Sequence, residues 1–143
     1  KGCIRKYYLQ EGEEITSEFY TELQTAANID SMVNQKPSKY YLTCSEDTTV
    51  AIMNSEKETA LYKKFPRFKE LCLVEMEKML GASQEELLIF KNASPKERYL
   101  NLLEERPDLI NRVPQYQLAS YLGVKPETLS RIRKRISTKT PKN

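Results

Sequence analysis

Residues 125–135 gather the side chains best equipped to recognise a ligand: Lys125, Glu127, Thr128, Ser130, Arg131 and Lys134, with Arg133 and Arg135 alongside. On a helix, Glu127 and Arg131 lie four positions apart on one face, and Ser130 falls beside them. A guanidinium fork matches guanine O6 and N7, a carboxylate accepts from cytosine N4, and a hydroxyl serves either purpose. Glu127, Ser130 and Arg131 are therefore the candidate base-reading residues. Tyr116, Gln117, Lys125, Thr128 and Lys134 flank them as candidate phosphate contacts, which set register without reading sequence. The plainer reading of the same spacing is a weak ion pair between Glu127 and Arg131 on a solvated face.

Other chemistry is poorly provided for. The 143 residues contain no histidine, which removes the commonest general base, the Ser-His and Cys-His pairs and every His-containing metal site. Cys3, Cys44 and Cys72 are odd in number and far apart, so neither a disulfide framework nor a metal-ligand spacing is expected among them. Each is expected to be a buried small hydrophobe in a reducing, cytoplasmic setting. No catalytic constellation and no cofactor motif is evident, and a non-enzymatic role is expected. No apolar run is long enough for a membrane span. The opening residues Lys1-Gly2-Cys3-Ile4-Arg5 carry neither an initiator Met nor a signal peptide, so a missing amino-terminal piece is expected.

Charge is unevenly spread. Residues 112–143 hold eight Lys or Arg against one acid, a net +7, whereas residues 1–111 hold fifteen against nineteen, a net −4. A basic carboxy-terminal block fits a polyanionic partner, although a charge run is also what a solvated face or tail looks like.

The elements that must position the polar set are legible around it. Leu118 and Leu122 are one turn apart on a first helix, with small Ala119 where a second helix must pass closely. Gly123 supplies the left-handed conformation of a sharp turn, Val124 plugs it, and Pro126 is pre-set for the first turn of the next helix. Leu129 and Ile132 give that helix its inner face. This is the pattern of a helix-turn-helix, whose second helix enters the major groove. A purely structural helical hairpin would share the leucines but not the outward polar set.

Upstream, residues 1–54 read as a small antiparallel sheet or roll. Ile4, Tyr7-Tyr8-Leu9, Ile15, Phe19-Tyr20, Tyr40-Tyr41-Leu42 and Thr48-Thr49-Val50-Ala51-Ile52 are the expected strands, with a hairpin turn at Glu11-Gly12-Glu13 and a break at Gln35-Lys36-Pro37-Ser38. The segment from Thr25 to Val33 reads as a short helical turn or a loop. Residues 55–92 read as connecting and dimerisation helices. Ser55-Glu56-Lys57-Glu58 offers a cap and an acidic first turn for a short helix. Pro66 then opens a longer one, in which Phe68, Cys72, Met76 and Met79 recur at spacings of three and four and Leu71, Val74 and Leu80 widen the apolar surface. This helix is expected to continue through Gly81 to Phe90. Its girth asks for cover on two sides, either by the roll and a second subunit or wholly within its own domain. Residues 93–143 form the third part, opened by the capping box Ser94-Pro95-Lys96-Glu97 and a helix bearing Tyr99, Leu100, Leu102 and Leu103, closed at Arg106-Pro107.

These segments resemble the Crp/Fnr family of bacterial regulators. The likeness runs over the whole chain: Lys1-Gly2-Cys3-Ile4-Arg5-Lys6-Tyr7-Tyr8 resembles a mid-roll strand, Pro37-Ser38-Lys39-Tyr40 the end of the effector cassette, and Ala93-Ser94-Pro95-Lys96-Glu97-Arg98-Tyr99 the start of the DNA-binding domain. Most specific is Val124-Lys125-Pro126-Glu127-Thr128-Leu129-Ser130-Arg131, which carries the family's Glu-Thr-x-x-Arg recognition signature. It is similar in particular to short Bacteroidetes-type members, with the first strands of the roll absent. The resemblance implies an α+β protein in which a cyclic-nucleotide-binding-like antiparallel β-roll is joined by a long dimerisation helix to a helix-turn-helix domain. It also implies an effector pocket at Asn28, Ser38 and Lys39. The family's nucleotide binders use Gly-Glu and Arg-Ser where this chain has Ala27-Asn28 and Ser38-Lys39, so a cyclic nucleotide is not the expected ligand. The chain ends without the β-wing of many members, leaving Lys139 and Lys142 as a basic tail.

The expectation is a homodimeric, sequence-specific regulator of double-stranded DNA, modulated by a small effector in the roll and in contact with RNA polymerase, with no membrane partner. The competing expectation is a ligand-sensing or protein-interaction module whose helical domain docks on a protein.

Overall fold

The computed structural model describes residues 1–138 and has an α+β architecture. Strands β1 (Ile4–Gln10) and β2 (Glu13–Tyr20) form an antiparallel hairpin, and β3 (Tyr41–Cys44) pairs antiparallel with the other edge of β1, giving the order β2-β1-β3. Glu11 and Gly12 both take positive φ at the turn, 52° and 84°, the pairing that matches the right-handed twist of a tight hairpin. Tyr7 faces Thr16 while Lys6 faces Glu18, so Ser17 is an extra residue that bulges β2. Helix α1 (Ile29–Asn34) lies between β2 and β3, capped by Asn28.

Among the described residues the helices continue with α2 (Ser55–Lys64), α3 (Pro66–Asn92), α4 (Pro95–Glu105), α5 (Leu109–Arg112), α6 (Gln115–Tyr121) and α7 (Pro126–Ser137). The cap of α2 is Asn54, whose side chain accepts from Lys57 N, one residue earlier than the expected Ser55. Helix α3 runs unbroken through Gly81, as its periodicity predicts. At α4 the capping box is complete: Ser94 Oγ accepts from Glu97 N, and the Glu97 carboxylate accepts from Ser94 N at 2.7 Å. Hydrogen bonding to its carboxylate by the Ser94 side chain, and then by Ser94 N, holds the Glu97 carboxyl below its ordinary range.

Two expectations are corrected. Residues 48–52 form no strand: Thr49 exchanges backbone bonds with Lys1 alone, and Val50, Ile52 and Met53 are exposed. β-branched character without a neighbouring strand makes no ladder. Of the cysteines only Cys3 is buried, its thiol pushed up chiefly by desolvation; Cys44 is exposed on the short edge strand β3, and Cys72 is partly exposed.

The chain divides into two compact units, residues 1–49 with 94–138 and residues 50–93. The sheet and the carboxy-terminal helices, expected as separate parts, thus belong together. They share one core: Cys3 and Phe19 from the sheet side are buried with Tyr99, Leu102, Leu109, Val113, Leu118, Ala119, Leu122 and Leu129. Phe19 packs edge-on to Tyr121, with ring centroids 5.5 Å apart. In the second unit α2 packs on α3, with Tyr62 against Phe68, yet neither helix buries a single side chain. Among the described residues no helix is long and apolar enough to cross a membrane.

Candidate nucleic-acid interface

Helices α6 and α7 are joined by a turn closed in a Schellman arrangement. Val124 N donates to Ala119 O at 2.9 Å, and Gly123, at φ +66°, supplies the left-handed residue. A side chain at 123 would strain this turn, which is why the residue type matters here. Ala119 is fully buried, and with no bulk beyond Cβ it permits a close approach between α6 and α7. Leu129 is also fully buried, with Ile132 and Ile136 against the same core, so one stripe of α7 is consumed in packing.

The opposite stripe is left to solvent. Glu127, Ser130, Arg131 and Lys134 are all exposed, at spacings of three and four, so the three predicted base-reading residues share one outer face. Lys125 is exposed just before the helix, and Thr128 is half-buried at the side of the face. Tyr116 is 60% exposed on α6. Gln117 departs from expectation: it is only 9% exposed, its Nε2 donates to Tyr116 Oη at 3.2 Å, and its Oε1 has no hydrogen-bond partner among the described residues. It sits beside Leu118 and Ala119 on the inner side of α6, so its side chain is placed to orient Tyr116 and not to meet a phosphate. The predicted tail at Lys139 and Lys142 lies outside the described residues.

Not every cation near these helices is available. Arg133 Nη1 donates to Gln115 Oε1 at 3.3 Å, tying α7 to the start of α6. Arg98 Nη1 donates to Leu122 O at 3.0 Å, meeting a carbonyl that the end of α6 leaves unpaired. Arg112 lies between Glu22 and Glu46, whose hydrogen bonds raise its pKa, while the Arg112 guanidinium is the main cause that pulls Glu22 down to about 2. Sequence reasoning missed all three roles, since nothing in the local spacing marks these arginines as tethered.

A second candidate site lies on the sheet. An open cavity of about 400 Å³ is lined by Lys6, Ala27, Asn28, Ser38, Tyr40, Tyr41 and Leu42. Asn28 Nδ2 donates to Ser38 Oγ at 2.7 Å, so two of the three predicted effector residues meet. Lys39 does not line the cavity. Its place as the cation is taken by Lys6, whose Nζ lies 4.5 Å from the Tyr40 ring centroid. Strand alternation is the signal that would have found it, because Lys6 follows buried Arg5 and points to the opposite side of the sheet. No family model matches this chain, and no curated protein matches it either.

Proposed function

We propose that this chain is a sequence-specific, DNA-binding transcriptional regulator of Crp/Fnr type that acts as a cytoplasmic homodimer. In this reading α6 and α7 are a helix-turn-helix, α7 is its recognition helix, and β1–β3 belong to a cyclic-nucleotide-binding-like roll. The observation that carries it is the division of α7 into a buried stripe at Leu129 and an exposed stripe at Glu127, Ser130, Arg131 and Lys134, on a turn held tight by Gly123. A helix packed on one side and polar on the other has the shape and donors that a major groove accepts.

The dimer is supported by α3. Leu73, Met76, Leu80, Ser83 and Leu87 follow the alternating three-and-four spacing of a coiled-coil seam, and each of the four apolar members is more than half exposed. In this reading each copy of the dimer places one recognition helix in a half-site, the half-sites about 34–36 Å apart. The cavity at Lys6, Asn28 and Ser38 is the proposed effector site, and RNA polymerase is the proposed protein partner of the DNA-bound dimer.

Selection from random duplexes is expected to return a near-palindrome, with affinity falling steeply as salt rises. Arg131→Ala is expected to relax base preference by about 1–3 kcal/mol at one position of each half-site, and Lys134→Ala to weaken all duplexes alike. Recovery of unrelated sequences bound no better than bulk competitor refutes the reading and leaves a domain that docks on protein.

A further inference from the structure

The unit of residues 1–49 and 94–138 contains a cluster that the DNA-reading assignment does not use. Arg112, the last residue of α5, donates from Nη1 to Glu22 Oε2 at 2.8 Å and from Nη2 to Glu22 Oε1 at 3.0 Å, a two-pronged grip on one carboxylate. The same guanidinium reaches Glu46 Oε1 from Nη2 at 2.5 Å and from Nε at 3.2 Å, and Asp108 lies 3.6 Å from Nη1. Glu22 follows β2 and Glu46 follows β3, so one arginine gathers two loops of the sheet. Glu22 is fixed from its other side as well, accepting from Gly2 N at 2.9 Å. Gly2 has φ +113°, and a Cβ there would fall 2.4 Å from Thr48 Oγ1, so this approach tolerates no side chain.

Three further bonds tie β2 and the residue after it to the helices. Ser120 Oγ on α6 accepts from Thr16 N at 2.9 Å, next to the bulge at Ser17. Arg106 donates from Nη2 to Thr21 Oγ1 at 3.1 Å and from Nη1 to Phe19 O at 3.5 Å. The sheet is therefore held at Thr16, at Phe19 and Thr21, and at Glu22, and helices anchored at such separated points have little freedom to rotate on it.

We infer that Arg112, counted by sequence among the cations of a basic block, is a positioning residue that locks the α6–α7 pair onto the sheet through Glu22 and Glu46. This rests on the reading of α7 as the DNA-reading helix. Arg112 donates to carboxylates from Nε, Nη1 and Nη2 alike, so it contributes orientation and not phosphate attraction. The locked arrangement leaves Glu127, Ser130, Arg131 and Lys134 exposed, so it is the reading state and not a masked one.

The sign of one substitution separates positioning from plain electrostatics. Glu22→Gln removes a negative charge from a protein that binds a polyanion; if Arg112 served phosphates, freeing it would raise affinity. Positioning predicts the reverse, a loss of about fivefold for the selected duplex with the salt dependence unchanged. Arg112→Lys keeps the charge and loses the fork, and is expected to lose affinity similarly. A fall in melting temperature with unaltered affinity well below the transition would make the cluster merely structural and overturn the inference. Residual dipolar couplings test it without DNA. Amides of β1, β2 and α7 are expected to fit one alignment tensor in the wild-type chain, with the orientation of α7 relative to the strands changed in Glu22→Gln; an unchanged orientation overturns the inference. Two tensors in the wild type overturn the lock, whereas one tensor in a protein with no preferred duplex condemns the DNA reading and leaves the lock standing.

Discussion

In the unit built from residues 1–49 and 94–138, Phe19, Leu109, Leu118 and Leu129 are withdrawn from water almost completely; in residues 50–93, Leu71, Leu80 and Leu88 each keep about 62–63% of their surface exposed. The contrast is not one of helix quality. Helix α3 runs for 27 residues, while α5, α6 and α7 have 4, 7 and 12, lengths at which an isolated helix in water is marginal. The short helices persist because they share a core with the sheet, and the long one is regular without having any core. Packing, then, is what the first unit supplies for itself and what the second must obtain from another surface, for which a second copy is the proposed source.

The largest effect expected from this contrast is on assembly. Leu80→Asp places a charge in the middle of the proposed seam, and sedimentation is expected to show complete loss of dimer while the first unit stays folded. An unchanged dimer would mean that subunits associate elsewhere. Next in size, Leu129→Ala is expected to cost roughly 2–5 kcal/mol of unfolding free energy by the loss of packing and the cavity left behind. Leu88→Ala, at an exposed site of α3, is expected to fall within about 0.5 kcal/mol of the wild type in urea denaturation. Equal costs at the two positions would erase the distinction between the units.

Smaller effects sharpen the picture within the first unit. Ser94→Ala removes half of a capping box, and about 1 kcal/mol of stability is expected to go with it. The Glu22 carboxyl is held at about 2 in the folded protein against an ordinary 4.5, so its contribution is complete above about pH 4.5 and disappears as the pH falls through 2. Melting curves of wild type and Glu22→Gln are accordingly expected to differ at neutral pH and to converge in acid. A gap that persists at pH 2 would show that the carboxylate charge is not what stabilises.

Much of this was readable from the chain because it is local chemistry. Gly12 and Gly123 mark turns that need positive φ, Ser94 and Glu97 stand at the spacing of a reciprocal cap, and the apolar recurrence through Gly81 matches one continuous helix. The face shared by Glu127, Ser130 and Arg131 follows from helical period alone. What failed was decided over long separations. Residues 48–52 have strand-forming side chains and, among the described residues, only Lys1 to pair with. Lys39 carries the expected charge, yet Lys6, from a strand formed more than thirty positions earlier, is the cation at the cavity.

The amino-acid sequence by itself determined which segments turn, which coil and which side chains share a helical face, because propensity, capping and period act over a few residues. Only the tertiary structure decided that Gln117 is buried, that Arg112 is spent on carboxylates 66 and 90 positions away, and that sheet and carboxy-terminal helices share a core. Partners in a folded chain are chosen by proximity in space, and the electrostatic role of a side chain depends on those partners and not on its neighbours along the chain.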